Sequence, residues 1–282
     1  MNKTFNKSKI KVAAFDVDGT IFHDGRISDA VKDAITKLHE TGVITVLATG
    51  RMHYYIPKSV MDLGVFKHGV LGNGTVVWDF ESSSQIAASP FEREVAENTL
   101  RYLDSLTDAY FIDFANESCL TSRHLELLRE EIKLEVLKNG GEAKEPHTIY
   151  DNLLARVSGT YEPIFKMGGR FDTVEGRKIA MDKINELGNI EISSTGGKDV
   201  GITPCGVHKG SGVLTLCEHL GLDISNVIAF GDGGNDVDLL KIAGFAVVLG
   251  NGQDSAKEVA DHITEPVWED GVALAIKELF EV

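Results

Sequence analysis

The chain has 282 residues, 43% of them apolar and 25% charged, with a formal net charge of −15. That length can bury its own core without disulfides or metal staples, as one large domain or two smaller ones. The negative balance disfavours nucleic-acid backbones and anionic membranes as partners, and it obliges any phosphate site to supply its own local positive charge.

The N-terminus MNKTFNKSKI is basic, but the apolar run after it is only VAAF. That is too short for a signal peptide's apolar region or a membrane span. Residues 11–15, KVAAF, predict a short buried strand. Ser28 is set to cap a helix carrying Val31, Ile35 and Leu38 at helical spacing, and Gly42 to stop it. The apolar run 43–48, VITVLA, predicts a strand buried on both faces. A helix over 52–63, kinked at Pro57, is expected next. GVLGNGTVVWDF at 69–80 reads as two strands around an Asn73-Gly74 turn.

ESSSQ at 81–85 reads as a polar hinge. Beyond it the pattern changes to a long amphipathic helix at 92–106, an alternating strand at 109–115, and a charged helix at 124–139. Further strands and a helix near 175–187 follow. The opening alternation then returns. A helix follows Lys209 and ends at Gly221, and VIAF at 227–230 is a strand. NDVDLLKIAG at 235–244 is a helix, FAVVLG at 245–250 a strand, and helices cover 254–261 and 269–280. Alternating strands and helices imply a parallel sheet with helices on both faces. The expected fold is therefore a Rossmann-like α/β core, residues 1–82 and 193–282, with an inserted α+β domain at 83–192. Cys119, Cys205 and Cys217 form no C-x-x-C pair, and their odd number argues against a disulfide framework, so a reducing cytoplasm fits.

Four groups carry chemistry. Asp16 and Asp18 follow the first strand in DVDGT, where two carboxylates can hold a divalent cation and one can act as nucleophile. The plainer reading is a strand-end Asp and an Asp-Gly turn. Thr20 could cap a turn or hold a carboxylate. Thr49, with the backbone N–H of Gly50, suits a phosphate oxygen at a helix start, or Thr49 is an ordinary N-cap. Arg51 reads as a brace for that turn. Lys209 opens a helix where a cation is misplaced, unless an anion sits beside it or solvent surrounds it. His208 could serve as a ligand, but in this position it more often is a turn or surface residue. In GDGGND, Asp232 at a strand end could ligate a metal. Asn235 would cap the following helix with Asp236 and Asp238 in its first turn, which leaves Asp232 unexplained.

Together these groups gather at the carboxyl ends of parallel strands, where open α/β sheets bind ligands. Three carboxylates, a hydroxyl and an ammonium suit a phosphate neutralised by a hard metal such as Mg²⁺. Clustered Cys/His for zinc, a serine triad and a G-x-x-x-x-G-K-[ST] loop are all missing from this sequence.

DVDGT, ATGR, Lys209 and GDGGND, in that order and with a large insertion between the second and third, resemble the haloacid dehalogenase-like phosphohydrolase superfamily. The split arrangement and the Asn73-Gly74 turn resemble its Cof-type branch. The resemblance implies a phosphatase for sugar phosphates or similar small phosphomonoesters. It implies Asp16 as nucleophile, Asp18 as acid and base, and Thr49, Gly50 and Lys209 on the phosphoryl oxygens. Mg²⁺ would bind the Asp16 side chain, the Asp18 carbonyl and Asp232. Asp236 would steady the metal's water shell or Lys209, and Asn235 would touch phosphate or a neighbouring loop. The inserted domain would set substrate choice. A phosphomutase using the same aspartyl phosphate, or a non-enzymatic metabolite-binding regulator, are the rival functions. The oligomeric state, monomer or homodimer, is not encoded in these motifs.

Overall fold

The computed structural model describes residues 3–129, 147–150, 152–194 and 197–282. The chain divides into two compact units, residues 1–88 with 208–282, and residues 89–207.

The first unit is built on an eight-stranded sheet. Its strands are β1 (Val12–Phe15), β2 (Ile44–Ala48), β3 (His68–Leu71), β4 (Val76–Asp79), β5 (Ser84–Ala88), β12 (Val227–Gly231), β13 (Phe245–Val248) and β14 (His262–Ile263). Strands β6 to β11 belong to the second unit. The order is β14-β13-β12-β1-β2-β3-β4-β5. Pairing is parallel from β14 to β3, and antiparallel for β3 with β4 and β4 with β5.

Alternation along the central strands gives each face its own core. Val12, Ala14, Val46 and Ala229 join Val213, Leu216 and Leu239 on one side. Phe15 stacks on Phe230, ring centroids 4.7 Å apart, and the helix Asp29–Glu40 buries Val31, Ile35 and Leu38. Each such side chain, fully buried, is worth about 1.5–3 kcal/mol. The Asp29–Glu40 helix starts as expected, with Ser28 Oγ accepting the Val31 N–H at 3.2 Å. Lys209–Leu220 ends at Gly221 in the left-handed conformation.

The expected helix over 52–63 is two short pieces, a 3₁₀ turn at His53–Tyr55 and a helical turn at Lys58–Met61. Pro57, which lacks an amide hydrogen, stands at the N-cap of the second rather than inside one helix. Asn73 adopts φ 59°, ψ 36° in the Gly72–Gly74 turn between β3 and β4. The ESSSQ stretch is no hinge: Ser84 and Gln85 begin β5, which pairs with β4. That pairing carries the first unit to Ala88, past the expected boundary at 82.

The second unit holds a six-stranded sheet of order β10-β11-β9-β6-β7-β8. These strands are β6 (Tyr110–Asp113), β7 (Ser118–Leu120), β8 (His147–Ile149), β9 (Lys166–Arg170), β10 (Ile190–Ser193) and β11 (Asp199–Pro204). Strand β11 pairs with both β10 and β9, so the unit runs to residue 207 rather than ending at 192. The helices Arg93–Leu106, Leu153–Ser158 and Val174–Asn185 cover one face. Leu100, Leu103, Val157 and Ile184 pack there with Tyr110, Ile112, Met167 and Ile202. Residues 122–129 are helical, and the rest of the charged helix expected to 139 lies outside the described residues. The Leu153–Ser158 helix was not expected from the sequence. It is short, but Asn152 caps it through Oδ1 to the Ala155 N–H at 2.9 Å. No helix among the described residues is long and apolar enough to cross a membrane.

Candidate active site at the strand ends

The parallel registers pair Phe15 with both Phe230 and Leu47. The residues that follow these strands, Asp16, Asp232 and Thr49, therefore come to one edge of the first unit's sheet. Asp16 is held at its backbone by its N–H to the Phe230 carbonyl (2.9 Å), and Thr49 by its N–H to the Val70 carbonyl (2.9 Å). Both side chains are buried.

Lys209 is completely buried at the first turn of its helix. Its Nζ lies 2.7 Å from Asp16 Oδ1 and 2.6 Å from Asp236 Oδ1. Anionic partners thus resolve the conflict of a cation at a helix N-terminus. His208 precedes it as N-cap, with Nδ1 accepting the Ser211 N–H at 3.2 Å. Gly74, at φ 101°, lets the β3–β4 turn approach this helix start, since a Cβ there would collide with the His208 carbonyl.

Asp236 is fully committed. One oxygen meets Lys209, and Oδ2 accepts the backbone N–H groups of Asp232 (3.0 Å) and Gly233 (2.8 Å). It is a brace for the GDGGND turn. Asn235 does not cap the next helix as its position suggested. It sits in the 3₁₀ turn Gly234–Asp236, buried, and its Nδ2 donates to Asn73 Oδ1 at 3.1 Å. Its Oδ1 is buried without a hydrogen-bond partner among the described residues.

Asp232 accepts from Thr20 Oγ1 at 3.0 Å, so Thr20 takes the carboxylate-holding role rather than the turn cap. Asn251 Nδ2 reaches the Gly19 carbonyl at 2.9 Å and Asp232 Oδ2 at 3.4 Å. Gly19, at φ 78°, is required twice over. Its backbone is left-handed, and a Cβ would stand 2.5 Å from Asp232 Oδ2.

Asp18 stands apart from this buried group, with its side chain 51% exposed. Arg51 grips it with two hydrogen bonds of 2.7 Å, and Arg51 Nη1 donates to the Tyr55 carbonyl at 2.8 Å. The bracing expected of Arg51 is present, and the grip on Asp18 is additional. The Arg51 N–H donates to Thr49 Oγ1 at 3.2 Å. Thr49 and Gly50 lead into this turn, not into a helix. Thr20, Arg51 and Asn251 are the contacts that sequence reading left open or missed. The only signal for Asn251 is a polar residue just beyond strand β13.

Electrostatics sets the character of the buried group. Burial, then the neighbouring Asp236, pushes the Asp16 carboxyl well above its ordinary range, against the pull of Lys209. Burial and Asp236 likewise push Asp232 up to about 7. Burial alone would lower Lys209, but Asp16 and Asp236 outweigh it and the ammonium is held firmly. Asp16, Asp232 and Asp236 bring ligand atoms within 4.8 Å of one another. Three carboxylates against one ammonium leave two negative charges uncompensated when all are ionised. That excess, the all-oxygen donor set and the unpartnered Asn235 Oδ1 fit a hydrated divalent cation.

The profile of the haloacid dehalogenase-like hydrolases matches residues 13–276. A 5-amino-6-(5-phospho-D-ribitylamino)uracil phosphatase of Bacillus subtilis, YcsE, is 28% identical over 270 residues, 95% of each chain. An HMP-PP phosphatase of Serratia proteamaculans is 28% identical over 88% of this chain and 87% of its own. Among solved structures, a haloacid dehalogenase-like hydrolase from B. subtilis superposes with a TM-score of 0.85 at 21% identity, covering 96% of this chain and all of that one. A subclass IIB sugar phosphatase of the same superfamily gives 0.81 at 22% identity, with the same coverage. These two share the fold. With the profile spanning almost the whole chain, the protein belongs to the haloacid dehalogenase-like hydrolase family.

Proposed function

We propose that this phosphoric monoester hydrolase cleaves a small phosphorylated metabolite by way of an aspartyl phosphate on Asp16. The observation that carries the reading is the fully buried ammonium of Lys209, 2.7 Å from Asp16 Oδ1 at the strand ends. An aspartate needs no separate base to act as nucleophile, but its charge repels phosphate, and phosphoryl transfer depends on positioning and neutralised charge. Lys209 supplies part of that neutralisation.

In the first step an Asp16 oxygen bonds to phosphorus, the ester P–O bond breaks, and Asp18 gives its proton to the departing oxygen. In the second, Asp18 takes a proton from water as that water attacks phosphorus, releasing inorganic phosphate and restoring the Asp16 carboxylate. Thr49 Oγ accepts the Arg51 N–H, so its own hydrogen is available to a phosphoryl oxygen. The Gly50 N–H is assigned to another. Each Asp18 oxygen keeps an acceptor site beside its bond to Arg51. The Asp16 and Asp232 side chains with the Asp18 carbonyl are assigned to Mg²⁺, which when bound supplies electrostatic stabilisation of the phosphoryl oxygens. Asp236 holds Lys209 rather than the metal, and Asn235 braces the Asn73 turn and approaches phosphate only from there.

The second unit is assigned leaving-group selection, because the strand-end groups address phosphate alone. The YcsE and HMP-PP phosphatase names support a small phosphorylated metabolite as substrate. The unpaired cysteines suit a reducing cytoplasm. Phosphate release from a panel of phosphorylated metabolites, with Mg²⁺, tests the reading. Release from none of them, or isomerisation of a hexose phosphate without phosphate release, contradicts it.

A further inference from the structure

The loop Gly250-Asn251-Gly252, just after β13, is docked on the GDGGND turn of the same unit. The Leu249 N–H donates to the Gly231 carbonyl at 3.2 Å, and the Gln253 N–H to the Asp232 carbonyl at 2.9 Å. Both glycines serve that close approach. A Cβ on Gly252 would stand 2.9 Å from the Leu249 carbonyl oxygen and 3.3 Å from that of Asp232, and one on Gly250 would stand 2.9 Å from Pro266. The backbone thus comes near enough for a short side chain between the two glycines to reach the site.

That side chain, Asn251, joins three segments distant in sequence. Its Oδ1 accepts the Val267 N–H at 2.8 Å, and this backbone donor fixes which end of the amide is oxygen. Nδ2 therefore faces the Gly19 carbonyl at 2.9 Å and Asp232 Oδ2 at 3.4 Å, with one hydrogen for each. Gly19 follows Asp18, and a glycine's loose dihedrals need fixing from both sides. On one side the Gly19 N–H, in the same peptide plane as the Asp18 carbonyl, donates to the Phe22 carbonyl at 3.0 Å. On the other side Asn251 holds the Gly19 carbonyl. The Asp232 carboxylate is likewise held at both oxygens, by Thr20 Oγ1 at Oδ1 and by Asn251 at Oδ2.

We propose that Asn251 is a positioning residue whose amide sets the Asp18–Gly19 turn and the Asp232 carboxylate in the mutual arrangement that receives a divalent cation. The proposal rests on the assignment of Asp232 and the Asp18 carbonyl to Mg²⁺. An amide donates hydrogen bonds without adding charge. It orders both acceptors and leaves the site's negative excess for the cation, whereas a lysine in its place would compete with the metal. Groups that hydrogen-bond a metal ligand typically contribute about 10–100-fold to metal affinity.

The test measures Mg²⁺ and Ca²⁺ binding by calorimetry to substrate-free wild-type protein, Asn251→Ala and Asn251→Leu. The Mg²⁺ dissociation constant should rise about tenfold or more in both variants. Ca²⁺ accepts irregular coordination where Mg²⁺ demands near-octahedral geometry, so its constant should rise clearly less. Excess Mg²⁺ should return most of the aryl phosphatase rate, which it could not do for a group that touches substrate. Melting curves in metal-free buffer identify a folded variant, and leucine fills the space that alanine empties. A Mg²⁺ constant within twofold of wild type in a folded variant, or equal losses for both cations, overturns the proposal. A wild-type protein that binds neither cation would instead sink the metal assignment itself.

Discussion

Arg51 holds Asp18 with a two-point grip, Nε to Oδ2 and Nη2 to Oδ1, both at 2.7 Å. The same guanidinium ties to the Tyr55 carbonyl, and the same residue's N–H reaches Thr49 Oγ1. One residue thus links the proposed acid and base to the proposed phosphate-binding hydroxyl.

Arg51 is therefore predicted to act as a positioning residue. Arg51→Ala should lower kcat about 10–100-fold on alkyl phosphates, whose leaving oxygen needs a proton, and clearly less on an aryl phosphate, whose leaving group does not. Arg51→Lys keeps the charge but loses the planar fork, and should recover only part of the loss. Equal losses on both substrate types would show that Arg51 does not act through Asp18.

Lys209 should prove both structural and chemical. Lys209→Met leaves Asp16 and Asp236 buried without their cation. Removing one partner of a buried ion pair typically costs about 3–5 kcal/mol. Denaturant melts should show that loss, and added Mg²⁺ should return part of it, because the dication can replace some of the missing charge. A variant as stable as wild type with full activity contradicts the assignment.

Chelation should abolish hydrolysis of a generic aryl phosphate and Mg²⁺ should restore it. Ca²⁺ should substitute poorly because its larger, looser shell misplaces the reacting groups. Asp232→Asn should weaken Mg²⁺ binding by calorimetry, and in metal-free buffer should raise the melting temperature by removing a buried like charge beside Asp236. Full turnover in a demonstrably metal-free sample would refute the metal site.

Asp113, buried on β6, yields a stability prediction. Its carboxyl is raised by burial, so the folded chain holds that proton more tightly than the unfolded chain does. The group's contribution is intact below the unfolded carboxyl range and is lost as pH rises through the raised folded value. Asp113→Asn does not titrate. Its stability relative to wild type should be near parity or lower at about pH 4, and should improve steadily toward pH 7.5. Melting curves across that range check it, and a constant or shrinking difference would count against the burial argument.

The elements that place the site were legible because they rest on local signals. Apolar runs ending in aspartate or threonine marked β1, β2 and β12, and Ser28 and Gly221 marked helix ends by their capping chemistry. Asp16, Asp18, Thr49 and Asp232 stood out because they follow strands, where open α/β sheets bind ligands, and Lys209 because it places a cation at a helix start. What stayed hidden depends on partners distant in the chain. Arg51 finds Asp18 across 33 positions, Asn251 finds Gly19 across 232, and Thr20 finds Asp232 across 212. Strand β5 was masked by its own edge position. With one neighbour and a largely exposed face, Ser84 and Gln85 are polar and read as a hinge until β4 pairs with them. The broken helix at 52–63 turned on Pro57, whose ring could bend a helix or begin a new one.

The central claim is the covalent intermediate on Asp16, and trapping it is the most direct test. Asp18→Asn keeps the backbone carbonyl but removes the group that activates water. With an aryl phosphate, whose departure needs little protonation, the first step should run and the second should stall. Acid-quenched intact-protein mass spectrometry should then show a phosphate-sized increment in Asp18→Asn, mapping by peptide analysis to Asp16, and none in Asp16→Asn. An increment on any other residue, or turnover by Asp16→Asn protein free of deamidated material, would contradict the account.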